Sequence, residues 1–177
     1  TGWDARNEIL RYSSGFWDNG QIHEASFDGM GRIEATGVGH RNNAVLVCES
    51  DGSKLSLENV HLSGSNRHTS AAIRQSSITT VRLSGCVISG FKESGIQASC
   101  WKPASLSVSG SYIIGNEGYA GAGIRAENTK LHISDTVMAY NSAIGNGGGS
   151  GGGMDIRFTD AYGGRFNKDA VHIEDCV

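Results

Sequence analysis

The stretch from Leu106 to Ile133, LSVSGSYIIGNEGYAGAGIRAENTKLHI, ends by restating its own beginning: Leu106-Ser107-Val108 returns as Leu131-His132-Ile133, 25 residues later. Between the copies lie a small-residue turn at Gly110-Ser111, an apolar run at Tyr112-Ile113-Ile114, a Gly/Asn loop and a second apolar start at Gly123-Ile124. A unit that restarts at so short an interval is one coil of a repeat protein. Such a coil buries nothing by itself; its apolar face is covered only by the coils stacked against it.

The interval recurs. One family of segments reads Ala44-Val45-Leu46-Val47, Ala72-Ile73-Arg74, Gly95-Ile96-Gln97, Gly123-Ile124-Arg125 and Gly153-Met154-Asp155. A second reads Leu55-Ser56-Leu57, Val81-Arg82-Leu83, Leu106-Ser107-Val108, Leu131-His132-Ile133 and Val171-His172-Ile173, starting at intervals of 26, 25, 25 and 40 residues. A third follows a short turn: Val60-His61-Leu62, Val87-Ile88, Tyr112-Ile113-Ile114 and Val137-Met138. Apolar-polar-apolar triplets send alternate side chains inward and outward, the pattern of strands buried on one face. The runs are too short, too β-branched and too often broken by glycine for helices. Three short strands per coil of about 25 residues predict a three-sided parallel β-helix.

Residues 1–43 do not follow the repeat cleanly and are assigned to an N-terminal cap with the first irregular coils; residues 44–177 form the regular stack. Within 1–43, Ile9-Leu10-Arg11-Tyr12 reads as a short strand or helical turn, and Gln21–Ala25 and Arg32–Ala35 as strands. Trp3, Phe16, Trp17 and Phe27 are expected to cover the first layer, with Trp17 the candidate for a sugar-stacking platform. The 40-residue interval holds a Gly-rich corner at 141–153 and an excursion at 159–169, read as protruding loops. The 26 glycines and single proline suit tight turns between short strands, and the lack of a Gly-X-Y period excludes collagen. The chain opens at Thr1 and stops at Val177 inside a coil, so it is expected to be a piece of something longer.

A formal charge of −3 gives no electrostatic case for nucleic acid or an anionic membrane, and no apolar run is long enough to span a bilayer. Cys48, Cys86, Cys100 and Cys176 have no metal-binding spacing and are read as small, mostly buried apolar residues. Cys86 and Cys176 share a repeat position three coils apart, about 14 Å, too far for a disulfide. A Cys48–Cys100 bridge is left open.

These segments resemble the right-handed parallel β-helix proteins of the pectin-lyase-like superfamily over roughly residues 16–177. The run Gly15–Asn59, with Gly20-Gln21-Ile22, Arg32-Ile33 and Gly37-Val38-Gly39, is similar to the usual family entry. Gly115-Asn116 followed by Gly121-Ala122-Gly123-Ile124, and Tyr140-Asn141 followed by Gly-rich sequence, resemble the Asn…Gly-Gly-Ala-Ile repeat of polymorphic outer-membrane proteins and related surface adhesins. The fold class expected is thus all-β, a single-stranded right-handed parallel β-helix. The resemblance implies a scaffold shared by polysaccharide lyases, hydrolases, adhesins and spacers, so function must be read from the site.

Polysaccharide-cleaving relatives need carboxylates on neighbouring coils, or calcium with an Arg/Lys base. One constellation fits. His132 and His172 share an outward register, Asp135 and Asp175 share the turn that follows, and Glu174 lies beside Ser134. Two imidazoles about 5 Å apart among carboxylates suit a divalent metal or an acid/base pair; the bland alternative is like residues stacking on a solvated face. If the chain is an enzyme, His132, Asp135, His172 and Asp175 are its catalytic candidates; as a binding module, it would use His132, His172, Glu174 and Trp17. Arg74, Gln97, Arg125 and Asp155 are expected to form a second polar ladder. Gly39-His40 and Arg32-Ile33-Glu34 lack the catalytic partners that hydrolase and lyase relatives carry, no N-glycosylation sequon occurs, and Gly145–Gly153 lacks a phosphate-loop context. No cofactor or metal is implied. The leading expectation is a non-enzymatic structural or adhesive segment of a larger extracellular or cell-surface protein, binding polysaccharide or cell-surface glycans or joining copies end to end through open strand edges. The alternative is a carbohydrate-active lyase or hydrolase.

Overall fold

The structure, a computed structural model, describes residues 9–12, 24–28, 32–35, 44–48, 51–52, 54–64, 71–144, 151–158 and 170–177; of these, 9–12, 24–28, 32–35 and 101–103 are described by their backbone. The elements are β1 (Ile9–Tyr12), β2 (Glu24–Asp28), β3 (Arg32–Ala35), β4 (Ala44–Cys48), β5 (Lys54–Glu58), β6 (His61–Gly64), β7 (Ala71–Gln75), β8 (Thr80–Ser84) and β9 (Val87–Ser89). They continue with β10 (Ile96–Ser109), β11 (Tyr112–Ile114), β12 (Glu117–Gly118), β13 (Ile124–Ser134), β14 (Val137–Ala139), β15 (Ser142–Ala143), β16 (Met154–Arg157) and β17 (Val171–Glu174). Every pairing is parallel, no α-helix occurs among the described residues, and the strands stack as a β-solenoid of about four turns.

The three sequence families are its three faces. On the first, Leu46, Ile73, Ile96, Ile124 and Met154 lie in register through β4, β7, β10, β13 and β16. On the second, Leu55, Val81, Leu106, Leu131 and Val171 do so through β5, β8, β10, β13 and β17. On the third, Leu62, Ile88, Ile113 and Met138 do so through β6, β9, β11 and β14. Strands β10 and β13 are long because each passes from the first face onto the second, and their pairing slips between Ser99 and Ala104. The segment at 9–12 is a strand, and β1–β3 add layers to the same stack: β2 pairs with β5 and β3 with β6. Trp3, Phe16, Trp17, residues 145–150 and the excursion at 159–169 lie outside the described residues, as does the side chain of Phe27.

Inward residues form one core in which Ile73, Ile96, Leu106, Ile113, Ile124 and Leu131 are fully buried. A continuous core demands that every coil follow the same path, and the corners enforce it. Between the second and third faces, five coils each place one residue at positive φ among the described residues: Asn59 (55°), Gly85 (61°), Gly110 (54°), Asp135 (48°) and Asp175 (50°). That conformation costs most residues about 1–2 kcal/mol and is tolerated best by Gly, Asn and Asp, which are the residue types found. The corner amides cross-link the layers, Gly85 N donating to Ser109 O at 3.0 Å and Gly110 N to Ser134 O at 3.1 Å. After Gly85, Gly110, Asp135 and Asp175 the next residue turns a small donor back onto its own strand. Ser111 Oγ donates to Ser109 O at 2.7 Å and Thr136 Oγ1 to Ser134 O at 2.8 Å, while Cys86 Sγ and Cys176 Sγ reach Ser84 O and Glu174 O at 3.4 and 3.1 Å. Cys86 and Cys176 therefore do the work of Ser111 and Thr136, which explains their common repeat position.

After the third face a second corner carries Gly90 (φ 75°), Gly115 (63°) and Tyr140 (58°). The residues that follow, buried Asn116 and part-buried Asn141, build an amide ladder. Asn116 Nδ2 and its backbone N both donate to Asn141 Oδ1 at 3.0 Å, Asn141 Nδ2 donates to Ile113 O at 2.7 Å, and Phe91 N donates to Asn116 Oδ1 at 3.1 Å. Farther on, Gly95 and Gly123 bring successive backbones together; a Cβ on Gly95 would lie 2.7 Å from the Gly123 carbonyl. The Asn and Gly positions of the adhesin-like pattern are thus explained by backbone geometry.

Leu106, sealed between Val81 and Leu131, tests the stack: Leu106→Ala is expected to lower unfolding free energy by about 2–5 kcal/mol, measured by urea denaturation. An unchanged midpoint would show that the coils do not share a core.

Candidate functional site

The second face turns a column of alternate residues outward: Ser56, Arg82, Ser107, His132 and His172, in register coil by coil. Because parallel layers repeat at about 4.8 Å, the two imidazoles must stack, and their centroids lie 5.0 Å apart with planes 3° from parallel. Glu174, two residues after His172 on the same side, serves both rings. Its Oε2 lies 3.1 Å from His172 Nε2 and its Oε1 4.0 Å from His132 Nε2. All three side chains are about half exposed, so the cluster lies on an open sheet face where solvent weakens its electrostatics.

Asp135 and Asp175 share a register, as the repeat requires, but each is the left-handed residue of its corner, equivalent to Asn59, Gly85 and Gly110. The aspartates thus have a backbone reason to be where they are. No group of three His, Cys, Asp or Glu residues among the described residues is arranged to hold a metal. Parallel rings aim their nitrogen lone pairs along parallel planes, so one ion cannot lie in both. Trp17 lies outside the described residues.

The first face carries the other ladder, with Arg74, Gln97, Arg125 and Asp155 in consecutive register. A second column beside it was not legible in the sequence: Ser99 Oγ donates to Glu127 Oε2 at 3.2 Å, and Arg157 stands one layer beyond Glu127. Arg157 Nη2 lies 2.7 Å from Asp155 Oδ2, and this contact holds the guanidinium proton more tightly. Past the corner after the third face, Lys92 pairs with Glu117. The sequence signal for that pair is only that both residues follow a corner residue by two, in adjacent coils.

None of the four cysteines is in a disulfide. Cys48, Cys86 and Cys100 are buried, and burial raises all three thiol pKa values, that of Cys100 to about 11. These are packing residues rather than nucleophiles. Fold and site together define the class: a parallel β-solenoid carrying polar ladders on its outer faces. Compared with known proteins, the chain matches no family model, no curated protein and no solved structure.

Two outcomes follow. Asp135→Gly is expected to alter stability by less than about 0.5 kcal/mol, whereas Asp135→Val, forced to positive φ, should cost about 1–2 kcal/mol; equal losses in chemical denaturation would contradict the corner assignment. For the thiols, a folded pKa above the unfolded one means stability is fully present below about pH 9 and is lost as pH rises toward 11. Correspondingly, an aromatic disulfide reagent at pH 8 should label Cys176 in the native protein and reach the other three only on unfolding.

Proposed function

We propose that this chain is a non-enzymatic structural or adhesive β-helix segment of a larger extracellular or cell-surface protein, of the pectin-lyase-like, adhesin-repeat kind, that presents its outer faces to glycans. The observation that carries the reading is the corner column. It gives Asp135 and Asp175 a conformational role shared with Asn59, Gly85 and Gly110, and leaves two half-exposed histidines and one glutamate together on an open sheet face. Parallel strand edges offer a further mode of assembly, copies joining end to end into a fibre.

The enzymatic alternative, a polysaccharide lyase or glycoside hydrolase, keeps one specific support: Glu174 lies against both stacked imidazoles, the arrangement an acid/base pair would use. A single set of measurements separates the two. The adhesive reading expects retention of the protein on immobilised polysaccharides or cell surfaces with no release of reducing ends or unsaturated sugars from a polysaccharide panel. Turnover that is lost in His132→Ala and Asp175→Ala would replace it with the enzyme.

A further inference from the structure

Tyr140 is the residue in this fold that its own coil does least to explain. It stands at positive φ, 58°, at the corner position that earlier coils give to Gly90 and Gly115. A bulky side chain in that conformation is strained. Its ring recovers almost nothing by packing, because the residue is 91% exposed. Strain without burial is poor economy for folding alone, and it marks a side chain presented for contact.

The surroundings extend the feature into a strip. Tyr112, 50% exposed, faces outward on the third face one coil earlier. Around the corner Tyr119, 64% exposed, stands beside Ile144, since the Glu117–Gly118 strand pairs with Ser142–Ala143 and Ile144 N donates to Gly118 O at 2.7 Å. The outward residues of the same three coils on the third face, among them Val87, Ile114 and Val137, carry no charge. Lys92 and Glu117, past the corner, neutralise each other. The second face, by contrast, shows Arg82, Lys130 and Glu174 outward.

We propose that Tyr112, Tyr140 and Tyr119 form a stacking surface for an uncharged oligosaccharide. Tyrosine rings offer apolar faces to the C–H faces of sugars and hydroxyls to their oxygens. A strip without net charge gives no attraction to uronates or sulfated sugars. Its extent argues against a second protein copy: three layers of about 4.8 Å and a few side-chain rows fall well short of the roughly 800 Å² per partner of a stable dimer. A narrow, extended ligand fits such a strip.

This inference rests on the glycan-binding reading above and assigns it to the third face and the corner beyond it, not to the second face that carries His132 and His172. The probes are cellohexaose and mannohexaose as neutral chains and hexagalacturonate as an acidic one, titrated calorimetrically against wild type, Tyr140→Gly, Tyr119→Ala and Lys130→Ala, the last an exposed residue of the second face. The expected result is binding of a neutral chain that weakens at least tenfold in Tyr140→Gly and Tyr119→Ala and is unchanged in Lys130→Ala. Tyr140→Gly should at the same time raise the urea midpoint, since glycine relieves the strained corner; that separates lost contact from lost folding. Equal binding by Tyr140→Gly overturns the inference and leaves the glycan-binding reading standing, as does preference for hexagalacturonate. Failure of wild type to bind any probe overturns both. Concentration-dependent dimerisation abolished by Tyr140→Gly, seen in sedimentation, would give the strip to a second copy and overturn the inference as well.

Discussion

Everything in this molecule depends on each coil repeating the path of the one before it. Parallel strands exchange hydrogen bonds with their neighbours only if the chain arrives at each face in the same phase, and a one-residue slip would turn every inward Leu, Ile and Val to solvent. The corner between the second and third faces holds that phase. Five successive coils put a Gly, Asn or Asp at positive φ there; the amides of Asn59, Gly85, Gly110 and Asp135 join the layers, and Cys86, Ser111, Thr136 and Cys176 follow the corner with a small side chain turned back on the strand. The asparagine ladder at the next corner does the same with side-chain amides, supplying donors and acceptors to carbonyls and N–H groups that three faces of strands leave behind.

The same constraint decides how outward residues are to be read. Stacking places like positions about 4.8 Å apart whatever their chemistry, so two histidines at one repeat position must stack and two aspartates at one corner must share a register. Proximity in a solenoid is therefore weak evidence of a site. What distinguishes a residue is a departure from its column. Glu174 departs from the three coils before it, where Ser84, Ser109 and Ser134 hold its position after Glu58, and Tyr140 departs by standing where glycine precedes it. The first makes a carboxylate available to both imidazoles; the second displays an aromatic ring that the fold does not need.

Much of this was legible in the sequence. The triplets Leu106-Ser107-Val108 and Leu131-His132-Ile133 name which residues point inward, because alternation is local and burial follows from it. The register pairs Leu106 with Leu131, and Ser107 with His132, as the 25-residue spacing requires. The ladder of Arg74, Gln97, Arg125 and Asp155 and the pairing of His132 with His172 could be read the same way. Through 1–43 the alternation was enough to read strands at 21–25 and 32–35, but not to show that β2 runs on to Asp28 or which later strands β2 and β3 pair with, since single-layer strands between irregular segments have no internal copy to align with.

By itself, then, the sequence determined the class of fold, the three faces and the core, because those rest on spacing and alternation along the chain. Only the tertiary structure decided what each polar residue touches. The φ of Asp135, the distance of Glu174 from two rings, the donors of Asn116 and the exposure of Tyr140 depend on coils about 25 residues away, and no local pattern encodes what a neighbouring coil sets against a given side chain or which side chain it leaves uncovered.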